Sequence, residues 1–572
     1  MPNNINDFSN IVAIDAVVDR QAGDRCQDGE IAVHILGGDT AQQPNFKVTP
    51  AELKNLQADL DRLWVTTDAR AVCAVFHSIG VEVPKNLADL TIEEVHFFNG
   101  RVPSPARDHS TALVYAGELE GPVALDAHEP AERDQDTRVP PVVDENMNRQ
   151  ARRRRLAMCE RLVRKLVKHT NIGAALQRGD YLKALTVVQE EGLPIDVAAA
   201  RALVAHREEL AWGAVDKLPP LPDGKRWHEP GETGMPRLRH WALQRLAARE
   251  STWPGDAEHA KSLDNDTIDA MAIRLPCLVG LADARRLVDA IAHMDVPIGQ
   301  DGRHRFDPRP FGSATGRNQP LTTSCLLAKS KWVRHLIRAP KGRVLIVADF
   351  RAQEVGNAAA ISGDQNLVSA YLTGDAYIAI GIMLGLAPIG ATKESHPHER
   401  AVAKGSTLAV LYGAGPGLIA LRAQCSTGEA KALLAKFAET FSVFWAWREN
   451  TRRLAQCQGY LETSSGWRVL TPEGSNYRSH INFPLQAAGA DILRHATVTC
   501  VAETAQTRSL RWSEDRRVFT ILKSLRMSPR RRAASSLHWP PCPILKAFSS
   551  RKSWMITIRV AVRRKGWPST TY

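Results

Sequence analysis

The chain has 572 residues, 44% of them hydrophobic, which is enough for several domains with cores of their own and excludes a disordered chain. No apolar run is long enough to span a bilayer, the opening MPNNINDFSN lacks the basic-then-apolar pattern of a signal peptide, and nine scattered Cys without a Cys-x-x-Cys pair exclude a Cys-based zinc site, so a cytoplasmic, reduced setting is expected. The net charge of +12 is no argument for nucleic-acid binding by the body: residues 504–572 hold 16 Lys and Arg against 2 acids, a surplus of 14 that leaves the other 503 residues at −2.

In chain order, Ile11 to Asp15, Glu30 to Ile35 and Leu63 to Thr66 read as strands, and Asp68 to Ile79 and Ile92 to Phe98 as helices, so residues 1–125 are α/β. Residues 126–170 are charged and Pro-rich, with a basic run at Arg149 to Arg155, and read as a linker leading into a helix. Arg152 to Arg155 fit a solvated helix face better than a phosphate contact. From Asp180 the pattern turns helical to about residue 295, with a break at Gly192-Leu193-Pro194. The loop FGSATGRNQP spans 311–320, and there Arg317 is either a ligand-reaching side chain or a solvent-loop Arg.

The informative stretch is Arg343 to Gly413. Val344 to Ala348 is short, uninterrupted and rich in β-branched residues, as in a covered strand, and delivers Asp349 to the strand end. Farther on, Arg400, Lys404, Leu408 and Tyr412 recur every four residues, along one helix face. A strand-end carboxylate can hold a divalent metal, an Arg and a Lys one turn apart can grip a triphosphate, and a Tyr two turns on can shape a base pocket, which together make a nucleotidyl-transfer site. Taken singly, each residue has a plainer reading: a turn Asp, an exposed basic helix face, a surface acid at Glu354. His396-Pro-His398-Glu399 suggests metal ligands, but the Pro marks it as a helix start. Tyr460 to Leu470 reads as strand and turn with Gly466 at the turn, and a helix is expected from Asp491 to about Cys500.

The motifs Asp349-Phe350-Arg351-Ala352-Gln353-Glu354 and Arg400-x3-Lys404-x3-Leu408-x3-Tyr412-Gly413 resemble motifs A and B of the family A DNA polymerases, in the branch found in phages and prophages. Thr315-Gly316-Arg317 and Arg478-x3-Asn482-Phe-Pro484-Leu-Gln486 are similar to two further segments of that family. The resemblance implies an α/β multidomain fold: an exonuclease-like front domain (1–125), a charged linker and helix (126–170), a thumb-like helical region (171–295), palm and fingers (296–503) and an aberrant basic tail (504–572). It implies template-directed addition of deoxynucleotides to a primer 3′ end by a monomer acting on primer–template DNA and deoxynucleoside triphosphates. Asp349 and the Phe350 carbonyl would hold Mg²⁺ in a two-metal site; Arg400 and Lys404 would neutralise the triphosphate. Tyr412 would close the base pocket, and Glu354, paired with it, would crowd a ribose 2′-hydroxyl. Leu408 stands where the family usually has an aromatic. Arg317, Arg478, Asn482 and Gln486 would contact the duplex.

Two departures stand out. The front strand reads Asp15-Ala16-Val17, without the Glu of the exonuclease Asp-x-Glu pair, and residues 158–165 read MCERLVRK without the Tyr-x-x-x-Asp, so a degenerate exonuclease is expected. No His-Asp dipeptide, the source of the second catalytic Asp, follows Gln486, so the palm is expected to be incomplete and the chain impaired, or a non-catalytic DNA-binding relic. The tail reads unlike a palm. A reading-frame shift near residue 504 is one explanation, since Val518 to Ile521 in a neighbouring frame can spell Val-His-Asp, as Ile556 to Ile558 also can; Asp515 is a substitute acid, and the tail alone also fits an RNA or acidic-surface binder.

Overall fold

The computed structural model describes residues 10–19, 24–36, 44–97, 99–100, scattered helical positions between 152 and 163, 171–228, 236–250, 253, 263–272, 274–292, 297–320, 324–328, 331–340, 345–423, 425–509, 519–522 and 556–561. The linker run 101–151, Asp515 and the Arg cluster after Pro529 lie outside them.

The three expected strands form. β1 (Ile11–Asp19) runs antiparallel to β2 (Asp28–Leu36) over its whole length and parallel to β3 (Leu63–Thr66), which is parallel to β4 (Leu87–Asp89), giving the order β2-β1-β3-β4. Between β2 and β3 lies α1 (Pro50–Gln57), started by a capping box in which Thr49 and Glu52 satisfy each other's backbone N–H. α2 (Ala69–Ser78) is capped by Asp68, and α3 (Leu90–Phe97) follows β4 directly.

The alternation along β1 divides two cores. Val12 and Ile14 pack with Val72, Val75 and Phe76 of α2. Ile11 and Ala13 pack on the other face against Leu156, Cys159, Leu162 and Val163, helical positions spaced three and four apart. The basic run before them is therefore not a solvated face throughout. Arg152 is 1% exposed, its Nε 3.4 Å from Asp15 Oδ2 and its Nη1 donating to Glu30 Oε2 at 2.6 Å. Asp15 on the inner face of β1 supplies the counter-charge that lets the guanidinium sit inside.

α4 (Ile172–Glu191) begins at the Asn171 cap, before the expected start, and ends at Gly192, φ +63°. It is the strut between the front sheet and the rest. Arg178 donates two bonds to Glu93 (2.7 and 2.6 Å), both side chains buried. Gly179 lies against the Leu87 carbonyl, where any Cβ would collide with it. Tyr181, Leu182 and Leu185 join the α2 side of the front sheet to Trp467 and Phe483 in one core.

The helical region continues with α5 (Val197–Ala205), capped by Asp196, then α6 (Arg207–Val215), α7 (His240–Arg249), α8 (Asn265–Met271) and α9 (Leu281–Ala292). A separate core of Trp227, Leu243, Trp253, Ile268, Leu278 and Leu281 holds α7 to α9. The two-residue strands β5 (Leu193–Pro194) and β6 (Arg303–His304) pair antiparallel.

β7 (Leu345–Phe350) is the strand expected to carry Asp349. It is followed by α10 (Gln353–Ser362), α11 (Gln365–Leu372), α12 (Ala376–Met383), α13 (Pro397–Leu411), α14 (Pro416–Ala423), α15 (Thr427–Thr440) and α16 (Ser442–Gln458). Pro397 in the first turn of α13 confirms the helix start at the His-Pro-His segment. β8 (Tyr460–Glu462) and β9 (Arg468–Leu470) form a hairpin with Gly466 (φ +79°) in the turn. The helix expected from Asp491 is longer: α17 runs Tyr477–Ser509 through Pro484, whose missing N–H removes only the bond to the His480 carbonyl.

The tail differs from the expectation. β10 (Phe519–Leu522) lies parallel to β7 and β11 (Ile556–Ala561) antiparallel on its other edge, in the order β10-β7-β11. Both are short β-branched runs set within strongly basic sequence, and the local apolar pattern, not the overall charge, decides their strand form.

Candidate active site

Asp349 is the next-to-last residue of β7, 4% exposed, with half-buried Phe350 after it. The chain turns through Ala352, a non-glycine residue at φ +45°, into α10, so Glu354 stands in the helix's first turn. Gln353 Nε2 donates to the Gly489 carbonyl (3.1 Å) and Asn357 Nδ2 to the Leu485 carbonyl (2.8 Å), fixing α10 on α17.

α13 presents the four-residue repeat as expected. Tyr412 Oη donates to Glu354 Oε1 at 3.2 Å, and Arg317 Nη2 lies 3.8 Å from the same oxygen. Burial pushes the Tyr412 phenol far above its ordinary range; the Glu354 charge and hydrogen bond push the same way, with Arg317 opposing. The phenol is thus a fixed, neutral donor. Leu408 is half-buried against the core that α13 shares with α10 and α12.

The two cations of α13 share partners that local spacing did not reveal. Arg400 Nε donates to Asp375 Oδ2 at 2.6 Å. The Tyr377 ring lies 5.7 Å from the Arg400 guanidinium and 5.8 Å from Lys404 Nζ. Asp375 also caps α12, accepting from the Ile378 N–H. That cap was readable from Gly374-Asp375; the ion pair, 25 residues away, was not.

Around Arg317, Gly316 has φ +70°, and a Cβ there would stand 3.0 Å from Trp467 Nε1 and 3.3 Å from Arg494 Nη1. Trp467 Nε1 donates to the Ala314 carbonyl (3.0 Å) and Arg494 Nη1 to the Gly316 carbonyl (2.6 Å), while Asp491 holds the same guanidinium. The positive φ of Gly316 makes a sharp turn here. It carries Arg317 beside Glu354. Arg478, Asn482 and Gln486 lie four apart along one face of α17. Arg478 is exposed, its guanidinium 5.9 Å from the Tyr477 ring centroid; Asn482 and Gln486 are half-buried.

A two-metal site needs more carboxylate than these residues supply. Thr557 of β11 is the register partner of Asp349, and Leu522 of β10 that of Ala348; neither strand contains Asp or Glu. Among the described residues, no group of three or more His, Cys, Asp or Glu is placed to hold a metal ion. The residues described here do not fit the two-metal arrangement.

Comparison with known proteins adds family to geometry. Residues 319–515 match the model of DNA polymerase family A. The thermostable DNA polymerase I of Thermus thermophilus is 28% identical over 177 residues, 29% of this chain and 21% of that protein. The DNA polymerase of Mycobacterium phage D29 is 26% identical over 210 residues, 36% of this chain and 33% of that protein. The chain thus spans about a fifth to a third of these relatives' length. In fold, the POL domain of Pol1 from M. smegmatis, solved in complex with DNA primer-template and dNTP, aligns with 88% of this chain and 88% of its own at a TM-score of 0.66 and 19% identity. Residues 319–515 are a DNA polymerase family A region, carried in a chain with the fold of a DNA polymerase I polymerase domain.

Proposed function

We propose that the chain is a DNA-directed DNA polymerase by descent: it holds primer–template DNA and an incoming deoxynucleoside triphosphate, but adds nucleotides poorly because a second catalytic carboxylate is missing. The observation that carries this reading is the contrast around Asp349. The nucleotide-gripping groups are assembled, whereas the strands on both sides of Asp349 bring no acid.

In this reading Arg400 offers a planar fork and Lys404 a compact charge to the triphosphate oxygens. Tyr377 lies beside both, which restricts their rotamers before nucleotide arrives. The Tyr412–Glu354 pair closes the sugar and base side, with the carboxylate set to crowd a 2′-hydroxyl. Arg317, Arg478, Asn482 and Gln486 form the duplex-facing set; the Gln486 amide can donate to the minor-groove acceptors common to every base pair. Mg²⁺, the ion family A enzymes use as a pair, would have Asp349 and the Phe350 carbonyl as ligands here, too few for both ions; no step is assigned to it.

The front sheet fits a degenerate exonuclease-like domain: Val17 stands where the second acid is needed, and Asp15 faces a buried guanidinium. Residues 171–295 take the part of a thumb and 296–503 that of palm and fingers. Among the described residues no helix is long and apolar enough to cross a membrane, and a cytoplasmic monomer is the setting we infer.

The test is anisotropy titration of a labelled primer–template, with and without the next complementary dNTP, beside primer extension on the same sample. Nucleotide-dependent tightening that Lys404→Ala weakens about tenfold, with extension near background, supports the proposal; no duplex binding sinks it. The second reading, a DNA-binding relic without chemistry, is favoured by the acid-free strands β10 and β11. The nucleotide sequence across codons 480 to 572 separates the two, because a neighbouring frame encoding His-Asp identifies a shifted copy of a working polymerase.

A further inference from the structure

We propose that α7 carries a binding site for single-stranded DNA, built on Trp241 and separate from the duplex-facing residues of α17. The choice of DNA rests on the proposed function; the site itself rests on four observations.

Trp241 is 44% exposed, and two guanidiniums lie over its ring, Arg239 at 5.6 Å and Arg245 at 5.0 Å from the centroid. A large aromatic left in water has lost the burial that usually accounts for it. Next, the charge on this face has one sign. Ala242, Leu243 and Ala247 turn inward, while Arg237, Trp241, Arg245 and Arg249 follow at four-residue spacing and are exposed. Among the described residues Glu250 is the only acid at the helix end; on the neighbouring α9, Asp283 is taken up by Arg286, and Asp289 lies in the wall of the adjoining cavity.

A cavity of about 190 Å³ adjoins the stack between α7 and α9. Leu243, Leu281 and Val288 form its apolar wall, Arg239, Arg285 and Asp289 its polar one. It is smaller than the roughly 300 Å³ at which small-molecule sites begin, so it suits one heteroaromatic ring rather than a whole nucleotide. Finally, Arg239 belongs to both the cavity wall and the Trp241 stack, so the two features are continuous.

A strand crossing α7 would stack one base on Trp241, lay its phosphates along Arg245 and Arg249, and present the next base at the cavity mouth. The ligand is single-stranded because an indole face needs an unpaired base, whose ring is stacked between its neighbours in a duplex.

The experiment is fluorescence anisotropy of a labelled oligothymidylate of about 12 nucleotides with the full chain at low salt, beside a blunt duplex and an abasic strand of equal length. Stacking is worth about 1–3 kcal/mol per base, so Trp241→Ala weakens single-strand binding roughly 5- to 150-fold, while Trp241→Phe keeps most of it. Arg245→Glu weakens it too and flattens its salt dependence. The abasic strand binds the native chain as weakly as thymidylate binds Trp241→Ala, and duplex binding by Trp241→Ala is unchanged. The proposal falls if native protein ignores the thymidylate, if Trp241→Ala binds it like native, or if that variant loses duplex and single strand equally. If duplex binding is absent throughout but Trp241-dependent single-strand binding persists, the polymerase reading fails and this site stands.

Discussion

Two sheets in this molecule each bury an aspartate on a central strand, and their surroundings differ in kind. Asp15 of β1 faces the fully buried Arg152, which also reaches Glu30, so its charge has a partner within the protein. Asp349 of β7 lies instead between two strands that contain no acid, and on α13 two cations sit beside one tyrosine while Tyr412 donates to Glu354. The front sheet is joined to the rest of the chain through α4, by the Arg178–Glu93 pair and the core that Tyr181, Leu182 and Leu185 share with Trp467 and Phe483.

The sharpest way to break this comparison is at Arg152. Arg152→Ala leaves Asp15 buried without its counter-charge, and loss of one partner from such a pair costs about 3–5 kcal/mol. We expect a large fall in the urea midpoint, partly restored by adding Asp15→Asn. An unchanged midpoint would mean the front sheet does not depend on the pair.

Asp89 gives the next effect, of similar sign but tied to pH. Burial raises its carboxyl from 3.8 to about 6, against hydrogen bonds from the Ala69 and Ile92 N–H groups. The folded state therefore holds the proton more tightly than the unfolded chain. The stability this group contributes is complete below pH 3.8 and declines as pH rises through about 6, by about 3 kcal/mol in all. In Asp89→Asn that decline should vanish from the pH dependence of unfolding; an identical profile would contradict the assignment.

Along α13 the effects are on ligand rather than fold. Lys404→Ala should weaken dNTP-dependent tightening of the primer–template complex about tenfold, roughly 1.4 kcal/mol, with little change in thermal midpoint. The smallest change expected is Tyr412→Phe. It removes one hydrogen bond to Glu354, worth about 1 kcal/mol, and should narrow the preference for deoxy- over ribonucleotide binding.

Much of this was readable from local pattern. The β1, β2 and β3 runs, the α13 face from Arg400 to Tyr412 and the Gly316 turn follow from spacing and residue type, because periodicity and backbone freedom act over a few residues; the Tyr412–Glu354 pair, 58 residues apart, was expected only from the family resemblance. What was missed acts at a distance. Arg152 read as solvated because its counter-ion lies on another element. Asp375 and Tyr377 became site residues only when α12 packed against α13. The helix expected from Asp491 starts at Tyr477 and continues through Pro484, since one absent N–H does not end a 33-residue helix packed along its length. The strands β10 and β11 were hidden within the tail's basic composition.

The central claim is that the nucleotide grip persists while the chemistry is crippled. Single-turnover primer extension with saturating dNTP and Mg²⁺, on protein already shown to bind the primer–template, tests it most directly. The account predicts extension far below the roughly 1–1,000 per second of ordinary enzymes, with binding intact. Extension within that range would contradict it, and would mean that a carboxylate outside the described residues completes the site beside Asp349.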